Sequence, residues 1–288
     1  MALSFFVSTI ALAWLAAASY ADLRTREVPD WLSYTLIVAG FGIAALRSID
    51  AGSVDYLLHA AAGFAVAAAL ALLMFYSRQW GGGDAKLLMG LGALLGFNEL
   101  TLDSFLPSLL INIFFVGAVY ALFYGVYLAY RYRSRFKPLF AKALASSRGT
   151  RSAVLLFAAL LFLAGFFVDS AMQLALLALA AFSLFAVWLW LFALTIERCC
   201  MLRRVRVAAL TEGDWVAERV PAKGKLIAQP GQLGLTKAQL AALRALARKR
   251  RLKSVLVRVG IPFVPSFALA FVYTLLFGNM LKLLMIWL

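Results

Sequence analysis

Long apolar runs separated by short polar stretches set the pattern of this chain. They fall at about Leu3–Tyr20, Trp31–Leu46, Tyr56–Tyr76, Asp84–Phe97, Leu106–Tyr130, Ala153–Val168, Leu174–Thr195 and Ile261–Phe277. A bilayer crossing takes about 20 apolar residues. Several runs reach that length, and the one at Asp84–Phe97 is short. The spacing predicts an all-α polytopic membrane protein with about eight transmembrane helices. Ala16-Ala17-Ala18 in the first run looks like a signal cleavage site. The run has no basic flank before it, however, and exceeds a typical signal core, so it reads as the first membrane helix. The apolar tail Met280–Leu288 either extends the last helix or lies in the interface.

The polar breaks carry the rest of the information. Ala21–Asp30 forms a hook in which Pro29 bars continuous helix, because it pushes the residue before it out of the α region. Arg131–Arg151 is a basic connection, and Glu197–Gly260 is the one sizeable soluble segment. Within that segment Thr236 and Gln239 have capping-box spacing and predict a helix over about Lys237–Arg251, with Leu240, Leu243 and Ala247 on one face. Thr211–Val220 and Leu252–Val259 read as short strands. The expected organisation is a membrane-embedded core over 1–196, a small basic cytoplasmic α+β insertion over 197–260, and a final helix with its tail over 261–288.

The net charge is +15, and its distribution orients the chain. Of the 28 Lys and Arg residues, all but Arg47 and Lys282 fall on one side of the predicted helices. The opposite loops carry Asp50, Asp55, Glu99, Asp103 and Asp169. Cytoplasmic loops are enriched in Lys and Arg, so both termini are expected outside and the hook inside. This bias accounts for the basic character without nucleic acid, for which no motif is present. The basic insertion is expected to rest on acidic lipid at the cytoplasmic face.

With 64% hydrophobic residues, few side chains remain for chemistry. His59 is the only histidine, which argues against a His triad or a His-rich metal site, and Cys199 and Cys200 are adjacent. Neither a metal nor a cofactor is expected. The run Gly81-Gly82-Gly83-Asp84-Ala85-Lys86 has neither phosphate-loop spacing. Its glycines predict local unwinding, and Asp84 falls in the first turn of the next helix, where the dipole favours a carboxylate. An ionisable group at membrane depth is a functional candidate that needs a partner. Asp22, just after the first run, is the best one.

Two carboxylates held close in a low dielectric share a proton, so one can activate water while the other protonates a carbonyl. That is aspartic-protease chemistry. Gly81 and Gly83 leave the backbone open where a substrate strand would approach. The residues alone leave open a proton-coupled transporter or channel in which Asp22 and Asp84 titrate, and a non-catalytic scaffold.

The glycine run resembles the G-x-G-D motif of GxGD membrane aspartic proteases. Together with the hook Asp22-Leu23-Arg24-Thr25-Arg26-Glu27-Val28-Pro29-Asp30, it resembles the type IV prepilin peptidase and archaeal preflagellin peptidase branch. The likeness covers about Leu3–Phe97 most strongly. Leu210–Trp215 and Gly260–Phe267 resemble a C-terminal extension of some archaeal members. The resemblance implies Asp22 and Asp84 as the catalytic pair. It also implies precursors of the prepilin or preflagellin type, with a basic n-region and an apolar helix, cut at the cytoplasmic membrane face. Paired C-x-x-C motifs are absent, so cleavage without methyl transfer is expected. Tyr20-Ala21-Asp22 and Pro265-Ser266-Phe267-Ala268 depart from the presenilin branch. Glu27 and Asp30 are candidates for attracting the substrate's basic residues, with solvated loop charges as the alternative. Lys86 reads as snorkelling to the interface, with an influence on the dyad's ionisation as the alternative.

Overall fold

The computed structural model describes residues 5–222, 225–250 and 252–287. Leu3, Arg251 and Leu288, where three expected elements begin or end, lie outside those residues. In chain order the helices are α1 (Phe5–Thr25), α2 (Asp30–Ala51), α3 (Asp55–Tyr76), α4 (Gly82–Leu95), α5 (Phe105–Arg131), α6 (Arg133–Ser146), α7 (Arg148–Ala164) and α8 (Ser170–Ile196). The strands β1 (Leu202–Arg206), β2 (Trp215–Val216), β3 (Val220–Ala222) and β4 (Lys225–Ala228) follow, then α9 (Lys237–Arg248), β5 (Ser254–Arg258), α10 (Val264–Phe277) and α11 (Met280–Trp287). Among the described residues six helices are long and apolar enough to cross a membrane, and α10 is a shorter apolar helix. The protein is a polytopic all-α membrane protein with a small insertion before α10, as the runs predict, but the six long apolar helices stand where about eight crossings were expected, because α4 and α10 are shorter.

Two compact units divide the chain. The first holds Met1–Leu122, Arg206–Val255 and Val259–Leu288. Its core gathers Leu15, Leu36, Leu87, Leu88, Leu91, Leu109, Ile113, Phe267 and Phe271, all fully buried. α4 packs against both α2 and α3. A helix that is apolar on every face belongs inside, and almost all of α4 from Ala85 to Leu94 is buried. Its 14 residues rise only about 21 Å, which is short for a crossing and suits an internal helix. Glycines set the closeness of this packing. A Cβ on Gly63 of α3 would lie 2.2 Å from the Gly92 carbonyl oxygen of α4, and one on Gly40 of α2 would lie 2.6 Å from the Leu94 nitrogen. Small residues at helix contacts let backbones approach in this way.

Polar groups tie the far ends together. Asn112 of α5 is fully buried. Its Nδ2 donates to Thr274 Oγ1 at 2.9 Å and to the Gly278 carbonyl at 2.8 Å, and its Oδ1 accepts from Met280 N at 3.0 Å. Gly278, at φ 71°, ends α10, so the tail forms the separate helix α11 rather than extending the helix before it. Lys282 of α11 pairs with Asp103. Within the insertion, the Thr236–Gln239 capping box opens α9 as the spacing predicts. β2 and β5 fall inside the two expected strand regions, and β2 lies along one edge of β5. The antiparallel β3–β4 hairpin is an addition.

The second unit holds Phe123–Val205 and Leu256–Arg258. α7 and α8 pair as a hairpin, and Asp169 caps α8 by accepting from the Ala171 and Met172 nitrogens at 3.1 and 3.0 Å. The basic stretch expected as a connection is largely the helix α6, despite Pro138 inside it. Its aromatic side chains explain the difference. Phe136 stacks on Phe140, Phe136 meets Phe192, and Phe140 meets Trp188, so one face of α6 packs on α8 while its cations face outward. Arg258 of β5 pairs with Glu197.

Candidate active site

Asp22 sits on α1 rather than in the hook beyond it. The first run was expected to end at Tyr20, but the helix continues to Thr25. Arg24 covers the Tyr20 ring at 4.9 Å, and the Thr25 hydroxyl donates back to the Ala21 carbonyl at 2.9 Å, so polar residues extend the apolar helix by a turn. The buried residues of α1 are Val7, Ala11, Leu15, Ala18 and Asp22, one stripe at helical spacing. The carboxylate therefore continues the inward-facing seam and is only 5% exposed. The turn after it closes at Arg26, whose φ of 63° is left-handed. Such a conformation costs a non-glycine residue on the order of 1 kcal/mol.

Burying a carboxylate requires compensating donors. Asp22 Oδ2 accepts from the Val264 nitrogen at 2.9 Å, and the neighbouring Phe263 N–H also bears on it. Val264 is the first residue of α10, so Asp22 faces the positive end of that helix. Asp84, half-buried, stands at the matching place on α4, and its Oδ2 accepts from the Gly81 nitrogen at 3.0 Å. Each acid is thus held at a helix N-terminus. Gly83, the residue before Asp84, packs on Val28 of the hook that follows Asp22, so the two acids lie on segments in contact.

The glycine run works differently from its expected role. A Cβ on Gly83 would lie 3.0 Å from the Val28 Cβ and 3.2 Å from the Val28 nitrogen. The open backbone admits the chain's own hook and brings the segment after Asp22 onto the segment before Asp84. Gly81 supplies the N–H that Asp84 accepts. Replacing Gly83 by Ala raises helix propensity by up to about 1 kcal/mol, but Val28 must give by a few tenths of an ångström, which shifts the hook after Asp22. A displacement of about 1 Å can cost a reaction on the order of a hundredfold. Gly83→Ala is therefore expected to leave the melting temperature within a few degrees while lowering any activity of the pair at least about tenfold. Thermal denaturation and turnover, measured on the same preparation, check this.

Asp30, Lys86 and Glu27 make their contacts with groups other than the two acids. Lys86 Nζ reaches Asp30 Oδ1 at 2.6 Å and lies 5.2 Å from the centre of the Tyr34 ring. It joins the start of α2 to α4, so Lys86 and Asp30 are committed to each other. Glu27 Oε1 accepts from the Thr211 hydroxyl at 3.0 Å. The neighbouring Asp214 accepts from the Thr211 nitrogen at 2.8 Å, and burial pushes the Asp214 carboxyl above the usual range against the pull of that bond. Sequence reasoning did not single out Trp80, Phe263 or Val264. Trp80 is 5% exposed, and its ring centre lies 5.1 Å from that of Phe267 and 6.0 Å from those of Phe114 and Phe263. This aromatic wall begins at the residue before the glycines, the one signal that pointed to it. Among the described residues no three His, Cys, Asp or Glu side chains gather into a metal-sized group.

Fold and site together define a class: a polytopic helical membrane protein with two acids at helix ends, Asp22 buried and Asp84 half-buried. Residues 9–126 match the model of a family described as the Type IV leader peptidase family. This segment includes both acids, the hook and the glycine run. The chain is similar to the preflagellin peptidase of Methanococcus maripaludis strain C6, at 36% identity over 96 residues, 33% of this chain and 41% of that one. It is also similar to the preflagellin peptidase of Methanocaldococcus jannaschii, at 34% identity over 93 residues, 32% of this chain and 38% of that one. A third preflagellin peptidase, from Methanococcus voltae, is 26% identical over 131 residues, 42% of this chain and 56% of that one. The chain therefore matches well under two-thirds of each relative's length. Both findings support the resemblance to the type IV prepilin and preflagellin peptidase family.

Proposed function

We propose that this chain is a membrane aspartic endopeptidase that removes the leader peptide from precursors of the preflagellin or prepilin type. The carrying observation is the pair itself: Asp22 and Asp84, from distant parts of the sequence, each held by a backbone N–H at a helix N-terminus, on segments that pack together through Gly83 and Val28. The relatives' names and the family match favour the substrate class.

In this reading one acid is ionised and the other protonated. The carboxylate takes a proton from water as the water oxygen attacks the scissile carbonyl, and the carboxylic acid gives its proton to the carbonyl oxygen. The tetrahedral diol then collapses. A proton passes to the leaving amine, the C–N bond breaks, and the products are a new carboxyl and a new amine. The Val264 and Phe263 N–H groups steady Asp22 throughout. The precursor's apolar helix lies beside the enzyme helices, so the bond to be cut sits at the cytoplasmic boundary. Cleavage proceeds without methyl transfer.

Glu27 is the better candidate for meeting a basic n-region, because its competing contact is a neutral hydroxyl, whereas Asp30 is already neutralised by Lys86. Glu27→Gln is expected to raise KM several-fold for precursors with a strongly basic n-region and to leave a neutral one unchanged, a size consistent with exposed charge pairs. Asp30→Asn is expected to have the smaller effect. Equal losses on both substrates would rule out charge recognition.

The deciding experiment is incubation of the purified protein, reconstituted in vesicles, with a preflagellin-type precursor. Cleavage at the leader junction is the expected result. Proton flux across the vesicle without cleavage would contradict the peptidase reading and favour the transporter.

A further inference from the structure

The chain re-enters the helical core through Gly260–Phe263, immediately before α10, and this strap lies directly on the end of α1. Its Val264 N–H donates to Asp22. Two residues before the hook's proline-bearing stretch, Arg26 reaches the same strap from the other side: its Nη1 donates to the Gly260 carbonyl at 2.5 Å. Arg26 also stands one helical turn after Asp22, with its own nitrogen donating to the Asp22 carbonyl at 2.9 Å, and its charge acts on the Asp22 carboxylate. We propose that Arg26 is a positioning residue for the dyad: its guanidinium holds the Gly260–Val264 strap against α1, so that the strap's N–H groups stay aimed at Asp22. This inference rests on the peptidase reading and extends it to a residue that touches neither substrate nor water.

The backbone supports this role. Arg26 has a φ of 63°, a conformation that glycine adopts freely and other residues adopt at a cost. The side-chain bond from Arg26 to the Gly260 carbonyl is a contact that offsets that cost. A planar guanidinium keeps its charge and presents fixed donors to a carbonyl, which a lysine ammonium does less well. The strap is also the exit of the basic insertion. Arg26 thereby makes the end of that segment part of the catalytic geometry rather than a separate module.

The backbone angle makes Arg26→Gly an informative variant, because glycine fits that conformation better than arginine. The variant is expected to melt at the wild-type temperature or above. Its kcat on a preflagellin-type precursor peptide should fall at least about tenfold, with KM within about threefold, as expected for a mispositioned reacting group. Millimolar guanidinium chloride should restore part of kcat to Arg26→Gly and none to wild type, and Arg26→Lys should fall between the two. Arg26→Gln carries the same test if Arg26→Gly does not fold. A kcat within threefold of wild type, or a loss confined to KM, overturns the proposal. Asp22→Asn in the same assay separates the two levels. If Asp22→Asn is inactive and Arg26→Gly is as fast as wild type, only this inference falls. If Asp22→Asn still cleaves, the peptidase reading falls and takes the inference with it.

Discussion

Asp22→Asn and Asp84→Asn are each expected to lower precursor cleavage by at least about a thousandfold, the range in which a positioned acid or base acts. Asparagine keeps the shape and can still accept the Val264 or Gly81 N–H through its amide oxygen, so the helix ends stay capped. What it loses is the ability to carry a proton at that place. Stability should change little, or rise, because a buried charge has been removed from an apolar seam. The measurement is the rate of leader release by purified variants of matched folded content. Substantial cleavage by either variant would remove that residue from the chemistry.

The second large effect concerns the helix that carries Asp84. A Cβ on Gly92 would lie 2.4 Å from both the Ala67 Cβ and the Gly63 carbonyl oxygen. Neither neighbour is a flexible side-chain end, so α3 and α4 must separate to accept it. Overpacking of this kind costs about 1–3 kcal/mol. Gly92→Ala and Gly63→Ala are each expected to destabilise by that amount, despite the higher helix propensity of alanine. Because α4 positions Asp84, activity should fall along with stability. Thermal melting in detergent reads the first effect and leader release the second. An unchanged melting temperature would mean that the α3–α4 contact yields without cost.

Elements that depend on local pattern were legible in the sequence. Hydropathy alone marked the membrane runs, and the capping-box spacing marked α9. The short run at Asp84–Phe97 was counted among the crossings, and only its packing against α2 and α3 marks it as an internal helix. Elements that depend on contacts between distant residues were hidden. Nothing near Asp22 says that Val264 N–H will reach it, and nothing near Arg26 says that the Gly260 carbonyl will. The pairing of Lys86 with Asp30 was missed for the same reason, since each residue on its own reads as an interfacial charge. α6 was hidden because its cations dominated the reading, while the aromatic face that holds it on α8 needed a partner to be recognised. β1 was missed because its burial does not alternate along Leu202–Arg206, whereas the five residues of β5 alternate.

The joint action of the two acids is tested most directly by adding the double variant Asp22→Asn/Asp84→Asn to the two single ones in the leader-release assay. Residues that act as one unit are not additive: once either is lost, losing the other removes little more. The expected result is a double variant no slower than the slower single variant, within about threefold. Losses that multiply, so that the double variant falls by the product of the two single effects, would contradict a shared site.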